Sequence, residues 1–416
     1  MVLDNPLAQQ QNRPTMTTSQ APEIGKIDSS TRHAGSARVV RIDGFELACD
    51  LPETVGNAMR FFDRRTALLV RLTDADGQVG WGETLSMPGA AAAVIRGGLG
   101  QMVLAQADAA PRVLWDAMCR TLTYDRRGVT HMAMGAIDVA AWDLAGQRAG
   151  ASIAQLLGGA LRREVPAYAS GPFLKFGSDP YRDFDSDIGS YLDAGFKALK
   201  LRLGLNERAE AALLARLRKR VGDSFPLIVD LNESASVRSA LSFAQAFAES
   251  DLVWLEEPIR HDNLPGYIHL AKALPMALAG GEALIGLTPF RDFLSQGALD
   301  VVQPDLALCG GFTEGQKIAA LAEAYGVPVV PHVWGTAINF HASLQFIAGL
   351  PEGRGPGLRY PLFEFDPSYN PLRDMFGAVA VRADGTMAIP DAPGLGIDID
   401  PRRFDAFLTD HWSLST

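Results

Sequence analysis

The chain has 416 residues, 47% of them hydrophobic, and a formal net charge of -10. This length supports more than one domain, and this apolar fraction supports a large core, which excludes global disorder. The acidic balance argues against a general nucleic-acid binder, which carries a basic face, yet leaves an acidic substrate open because local charge at a site can oppose the global sign.

The N-terminal stretch MVLDNPLAQQQNRPTMTTSQ is polar and lacks the charged start and apolar segment of a secretory signal, so residues 1–37 are expected to be disordered. No apolar run reaches the length of a membrane span. Cys49, Cys119 and Cys309 are widely separated, with no metal-type spacing, which fits reduced thiols in a cytoplasmic protein. RVVRIDGFELAC (38–49) reads as a strand, and TALLVRLTDADGQVGWGE (66–83) as a hairpin turning at Asp76-Gly77. Helical patterns follow to Gly150, with Met134, Ile137, Ala141 and Leu144 on one face. Strands followed by helices predict a separate α+β domain over 38–160.

Over 161–366 the rhythm changes. VPAYA (165–169), ALKLRL (198–203), PLIVDLN (226–232), LVWLEEP (252–258), MALAGGE (276–282), LDVVQPD (299–305), VPVVPHV (327–333) and PLFEFD (361–366) alternate with helical stretches. Their spacing, mostly about 25–30 residues, is that of βα units and predicts an α/β fold, a (β/α)8 TIM barrel. A doubly wound sheet is the alternative, but no glycine-rich dinucleotide fingerprint follows the first run. The tail 367–416, with strand–turn signals in 377–400, is expected to pack back on the first domain.

Barrel enzymes place their chemistry at the C-terminal ends of the strands. Here Lys200 and Arg202 alternate on the second run, as do Asp230 and Asn232 on the third. Glu256 and Glu257 end the fourth, Glu282 the fifth, Asp305 the sixth, His332 the seventh and Glu364 the eighth. Asp230, Glu256 and Glu282, on three consecutive strands, would repel unless a cation joined them, and an all-oxygen set suits Mg²⁺ rather than zinc. Separate salt-bridged acids are the alternative. Asp305 beside His332 reads as a dyad in which the acid fixes the tautomer and raises the basicity of the imidazole. Lys200 and Arg202 would hold a substrate carboxylate or stabilise developing charge. Glu257, followed by Pro258, is either a substrate contact or structural.

The segments KALKLR (197–202), VDLN (229–232), WLEEP (254–258), GGE (280–282), QPDLALCGG (303–311) and PHVWGT (331–336) together resemble the enolase superfamily, mandelate racemase subgroup. The resemblance extends over nearly the whole chain from residue 38. It implies an α+β capping domain on a modified barrel, completed by the C-terminal tail, and one Mg²⁺ per site on Asp230, Glu256 and Glu282. It also implies that Lys200 polarises a substrate carboxylate, that His332 with Asp305 is the acid or base, and that Glu364 hydrogen-bonds an enediolate. Arg60, in a cap loop at 59–65, Asn232 and Glu257 are assigned to substrate, with Ser86-Met87-Pro88 beside them. The family usually has Lys-x-Lys on the second strand; Arg202 stands at the second lysine, and guanidinium is rarely a base. The resemblance therefore implies α-proton abstraction followed by β-elimination that opens a galactaro-1,4-lactone-like ring to a 3-deoxy-2-keto acid. Acid-sugar dehydration is the alternative, and a non-catalytic binding or structural protein a further one. The partners implied are a small carboxylate and, from family habit, further copies of the chain, with neither nucleic acid nor membrane.

Overall fold

The computed structural model describes residues 37–122, 127–354 and 358–416. The expectation of disorder for 1–37 falls outside these residues except at Ala37. Among the described residues no helix is long and apolar enough to cross a membrane.

The chain opens with three antiparallel strands, β1 (Val39–Gly56), β2 (Phe61–Asp74) and β3 (Val79–Thr84). The β2–β3 turn lies at the expected pair: Gly77 takes φ 82°, and the Asp74 carboxylate accepts from the backbone N–H of Asp76 and Gln78, both at 2.9 Å. The helix Val129–Ala149 lies close against β3. A Cβ on Gly80 or Gly82 would fall 2.2 Å from Ala140 O or 2.0 Å from Ala136 O, so only glycine permits this approach. On its other side the helix meets later parts of the chain: Trp142 Nε1 donates to Thr313 Oγ1 (3.0 Å), and Asp138 accepts from Thr313 N (2.8 Å).

The second sheet is parallel and curled. Its strands are β4 (Glu164–Ser170), β5 (Leu199–Arg202), β6 (Leu227–Asp230), β7 (Leu252–Glu256), β8 (Ala277–Gly280), β9 (Val301–Val302) and β10 (Phe363–Phe365), in the order β9-β8-β7-β6-β5-β4-β10. Helices connect them, as expected for the modified barrel. The seventh run, 327–333, contributes one bridge, Val302 to Val329, and not a full strand. Pro328 and Pro331 flank it, and each lacks the N–H a ladder requires. Among the described residues no ladder pair joins this segment to β10; there the Glu364 side chain accepts from Val333 N at 3.2 Å.

Strand alternation layers the barrel interior. Tyr168, Ile228, Trp254, Val301, Val330 and Leu362 form an apolar plug. Two residues further along most of these strands come Asp230, Glu256, Gln303, His332 and Glu364, beside Lys200, all buried. The polar layer therefore rests on a packed floor and opens only toward the strand C-termini.

The tail returns as β11 (Thr386–Ala388), antiparallel to β4, and β12 (Leu408–Ser415), antiparallel to β1. The strand it adds to the first sheet thus lies beyond the 377–400 stretch where turn signals were strongest. The described residues form one compact unit. We propose the division into a cap (38–160), a barrel (161–366) and a returning tail (367–416) on the strength of the two sheets.

Candidate active site

The register pairs Arg202 with Asp230 and Asp230 with Glu256, which sets three charged groups in a row across β5, β6 and β7. Lys200 reaches between the acids. Its ammonium contacts Glu256, lies 2.6 Å from Glu364 Oε1 and 3.7 Å from Asp230 Oδ2. Arg202 Nη1 donates to Asp230 Oδ2 (3.1 Å) and Nη2 to Ser170 Oγ (3.0 Å). Asn232 clamps Asp230 with its backbone N–H (2.7 Å) and its Nδ2 (2.8 Å). Glu282, just past β8, places Oε2 3.2 Å from His332 Nε2, while His332 Nδ1 is 2.7 Å from Asp305 Oδ2. Asn339 Nδ2 donates to the other Asp305 oxygen at 3.1 Å, so the acid is itself held.

Burial pushes Asp230, Glu256 and Glu282 above the usual carboxylate range, with Lys200 pulling each back and His332 also acting on Glu282. Burial would also raise Glu364, but Lys200, His332 and Arg202 outweigh it and bring it down to about 2. Lys200 is kept protonated, since Glu256, Glu364 and Asp230 outweigh its burial. Arg202 is likewise raised despite burial, chiefly by Asp230. Burial lowers His332, but Glu282, Glu364 and the Asp305 bond prevail and lift it to about 10.

Among the described residues no three acid, histidine or cysteine side chains converge closely enough to hold an ion as they stand. The donor set nevertheless fits one. Asp230, Glu256, Glu282 and Glu364 face only two permanent cations, Lys200 and Arg202, which leaves the cluster short by the charge of a divalent ion. The buried Asn232 Oδ1 also lacks a partner.

Above this layer lies a cavity of about 350 Å³. The barrel side contributes Phe173, Arg202, Asn232, Glu282, Leu308, His332 and Trp334. The turn before β2 contributes Arg60 and the first sheet Phe62, Arg64 and Arg65, with Leu85, Ser86 and Met87 after β3. Both expected cap segments therefore reach the cleft, but 61–65 is the start of β2 and not a loop; alternation aims Arg60, Phe62 and Arg64 the same way. Glu257 is not brought to the cleft wall. It is buried, with φ 34°, and accepts from Gly281 N at 3.2 Å, and burial holds it well above the usual carboxylate range.

Residues 48–158 match the mandelate racemase / muconate lactonizing enzyme N-terminal domain, and residues 184–403 match the enolase C-terminal domain-like family. The chain belongs to this family, the mandelate racemase branch of the enolase superfamily. It is 37% identical to D-galactarolactone cycloisomerase of Agrobacterium fabrum, over 82% of this chain and 90% of that one. It is 30% identical to arabinonate dehydratase of Saccharolobus solfataricus, over 80% and 88%. The crystal structure of a racemase from Streptomyces coelicolor with bound magnesium superposes with a TM-score of 0.80 at 29% identity, covering 89% of this chain and all of that one (100%). The chain is an enzyme of this cycloisomerase and dehydratase type.

The sequence placed Arg65 at the end of the 59–65 segment but gave it no partner, and it singled out neither Phe173 nor Trp334. Arg65 spans cap and barrel: Nη2 donates to Asp366 Oδ2 (2.8 Å) and Ser368 Oγ (2.7 Å), and its guanidinium lies 4.3 Å from the centre of the Trp334 ring. Phe62 and Phe173 pack edge-on to the same ring at 5.8 and 5.6 Å. Trp334 follows His332 by two residues in PHVWGT, the signal available in the sequence.

Proposed function

We propose that this cleft removes the proton α to a substrate carboxylate and then eliminates the β-oxygen of a sugar-acid lactone, giving a 3-deoxy-2-keto acid. The observation that supports it most is His332 at the cleft wall, held through Nδ1 by Asp305, across from a Lys200/Arg202 pair that stays protonated. Asp230, Glu256 and Glu282 would hold Mg²⁺, which supplies a divalent charge that draws electrons from the substrate carboxylate and acidifies its α-carbon.

Lys200 adds a fixed positive charge where the enediolate develops, inside a buried layer where such charge acts strongly. Glu364 keeps that ammonium in place. Asp305 accepts a hydrogen bond from Nδ1–H and leaves Nε2 to exchange a proton with substrate. Glu282 supplies the largest of the fields holding His332 protonated, so neutralising Glu282 prepares the imidazole to act as a base. Arg202 orders Asp230 and presents charge to the cleft.

The site thus holds one ordinary acid/base group, His332. A leaving hydroxide requires a proton from a general acid, whereas the carboxylate released by a lactone departs without one; this favours ring opening. Dehydration of an open sugar acid is the second reading, supported by the likeness to arabinonate dehydratase. The test is a panel of aldaro-lactones and open sugar acids, each assayed with Mg²⁺ and after exhaustive chelation, with the products identified. Ring opening predicts 3-deoxy-2-keto acid from a lactone only with metal present, and Asp230→Asn should abolish both activity and metal binding. Full activity after chelation, or turnover of open acids alone, would remove the lead reading.

A further inference from the structure

We propose that Trp254 and Gln303 are positioning residues that commit Glu256 to offering one oxygen to its cation; the inference rests on the metal reading above. Both belong to motifs, WLEEP and QPD, whose acids alone were given roles. Trp254 precedes Glu256 by two residues on the same face of β7, and its Nε1–H donates to Glu256 Oε2 at 2.9 Å. Gln303, one residue past β9, donates from Nε2 to that same oxygen at 2.8 Å. Both side chains are buried, at 0% and 1% exposure, and neither lines the cleft.

The two oxygens of a carboxylate are chemically equivalent, so any difference between them comes from the surroundings. Here Oε2 receives both buried donors, Trp254 from the apolar floor and Gln303 from the polar layer, while Oε1 faces the Lys200 ammonium. The Gln303 amide cannot be reversed without setting its oxygen against the carboxylate, and as placed its Oε1 has no partner among the described residues. The indole N–H is a donor only and cannot itself ligate a cation. The two groups therefore occupy one oxygen and leave the other for metal. That distinction selects among ions: Mg²⁺ demands a compact octahedron, whereas Ca²⁺ takes more oxygens and readily accepts both from one carboxylate.

The experiment titrates the metal-stripped full chain by calorimetry with MgCl2 and, separately, with CaCl2. It compares wild type with Gln303→Met, which keeps the side-chain length without the donor, and Trp254→Phe, which keeps a ring in the core. The expected result is a Mg²⁺ affinity about tenfold or more weaker in each variant, the scale typical of groups behind a metal ligand. Ca²⁺ affinity should fall less or rise, so the ratio moves toward Ca²⁺. If one variant does not fold, the other gives the same readout. An unchanged ratio would overturn the proposal, whether both affinities hold or fall together as a loosened core would make them. Wild type that binds no Mg²⁺ would remove the metal reading and this inference with it, whereas wild-type binding with unchanged ratios removes this inference alone.

Discussion

At the scale of single residues, the site is organised by unequal partnering. Asp230, Glu256 and Asp305 are each held by several donors, but Arg60, exposed at the cleft rim, has no ion-pair partner among the described residues. An arginine left unpaired beside a cavity is available to an anionic group of a ligand. Arg60→Ala is expected to raise KM for the anionic sugar-acid lactone by about tenfold or more, the usual scale for a lost hydrogen bond to a charged group. The unfolding midpoint should stay where it is, because an exposed side chain without partners contributes little to stability. Steady-state kinetics beside a denaturant curve checks both. The charged residues at the strand ends were legible because each closes an apolar run, and their alternation fixed which face Lys200, Arg202, Asp230 and Asn232 share. Glu257 parts from Glu256 because it lies past the end of β7 with φ 34°, where its side chain accepts from Gly281 N and does not line the cleft. The partners of Arg65 were not legible, since Asp366 and Ser368 lie some three hundred residues away and no local pattern marks such a contact.

At the scale of elements, the segment 331–336 joins the catalytic layer to the cap. Glu83, at the end of β3, accepts from Thr336 N at 3.0 Å, from the Thr336 hydroxyl and from Asn339 N at 2.9 Å. Gly335, between His332 and this anchor, has φ 114°, and a Cβ there would lie 2.2 Å from Glu83 Oε1. Gly335→Ala should therefore cost about 1–3 kcal/mol of stability through backbone strain and the clash. It should also lower kcat by shifting the His332 segment; an unaltered kcat would show that this loop does not set the imidazole. The next helix, Ala337–Gly349, carries His341, which burial pushes down to about 4 although its ring bonds Leu395 O at 3.3 Å. Its folded pKa lies below the ordinary 6.5, so the unfolded chain binds the proton first. Stability attributable to His341 is complete above pH 6.5 and is lost progressively as pH falls toward 4. The total is on the order of 3 kcal/mol. Unfolding curves across this window should flatten in His341→Asn, which keeps a donor but does not titrate. The seventh strand shows where a run of apolar residues misleads: the hydrophobicity of VPVVPHV is that of a strand, but its prolines withhold the N–H groups, and one bridge remains.

At the scale of the whole molecule, the barrel supplies a polar layer on an apolar floor, and the first sheet closes over it with arginines and aromatic rings. The βα rhythm made the barrel legible from the sequence, while the cleft's roof, assembled from β2, the segment after β3 and the loops after β4 and residue 332, depends on packing between distant parts of the chain. The proposed division of labour has one centre: His332 would move the α-proton, and the groups around it would hold charge, metal or orientation. The direct test is turnover of galactaro-1,4-lactone in D2O with Mg²⁺, followed by NMR, for wild type and His332→Asn. Wild type is expected to give a 3-deoxy-2-keto acid carrying solvent deuterium at its deoxy carbon. His332→Asn is expected to give no such product while still binding Mg²⁺. Simple hydrolysis of the lactone to the open diacid without deuterium, or undiminished formation of the deuterated keto acid by His332→Asn, would contradict that division of labour.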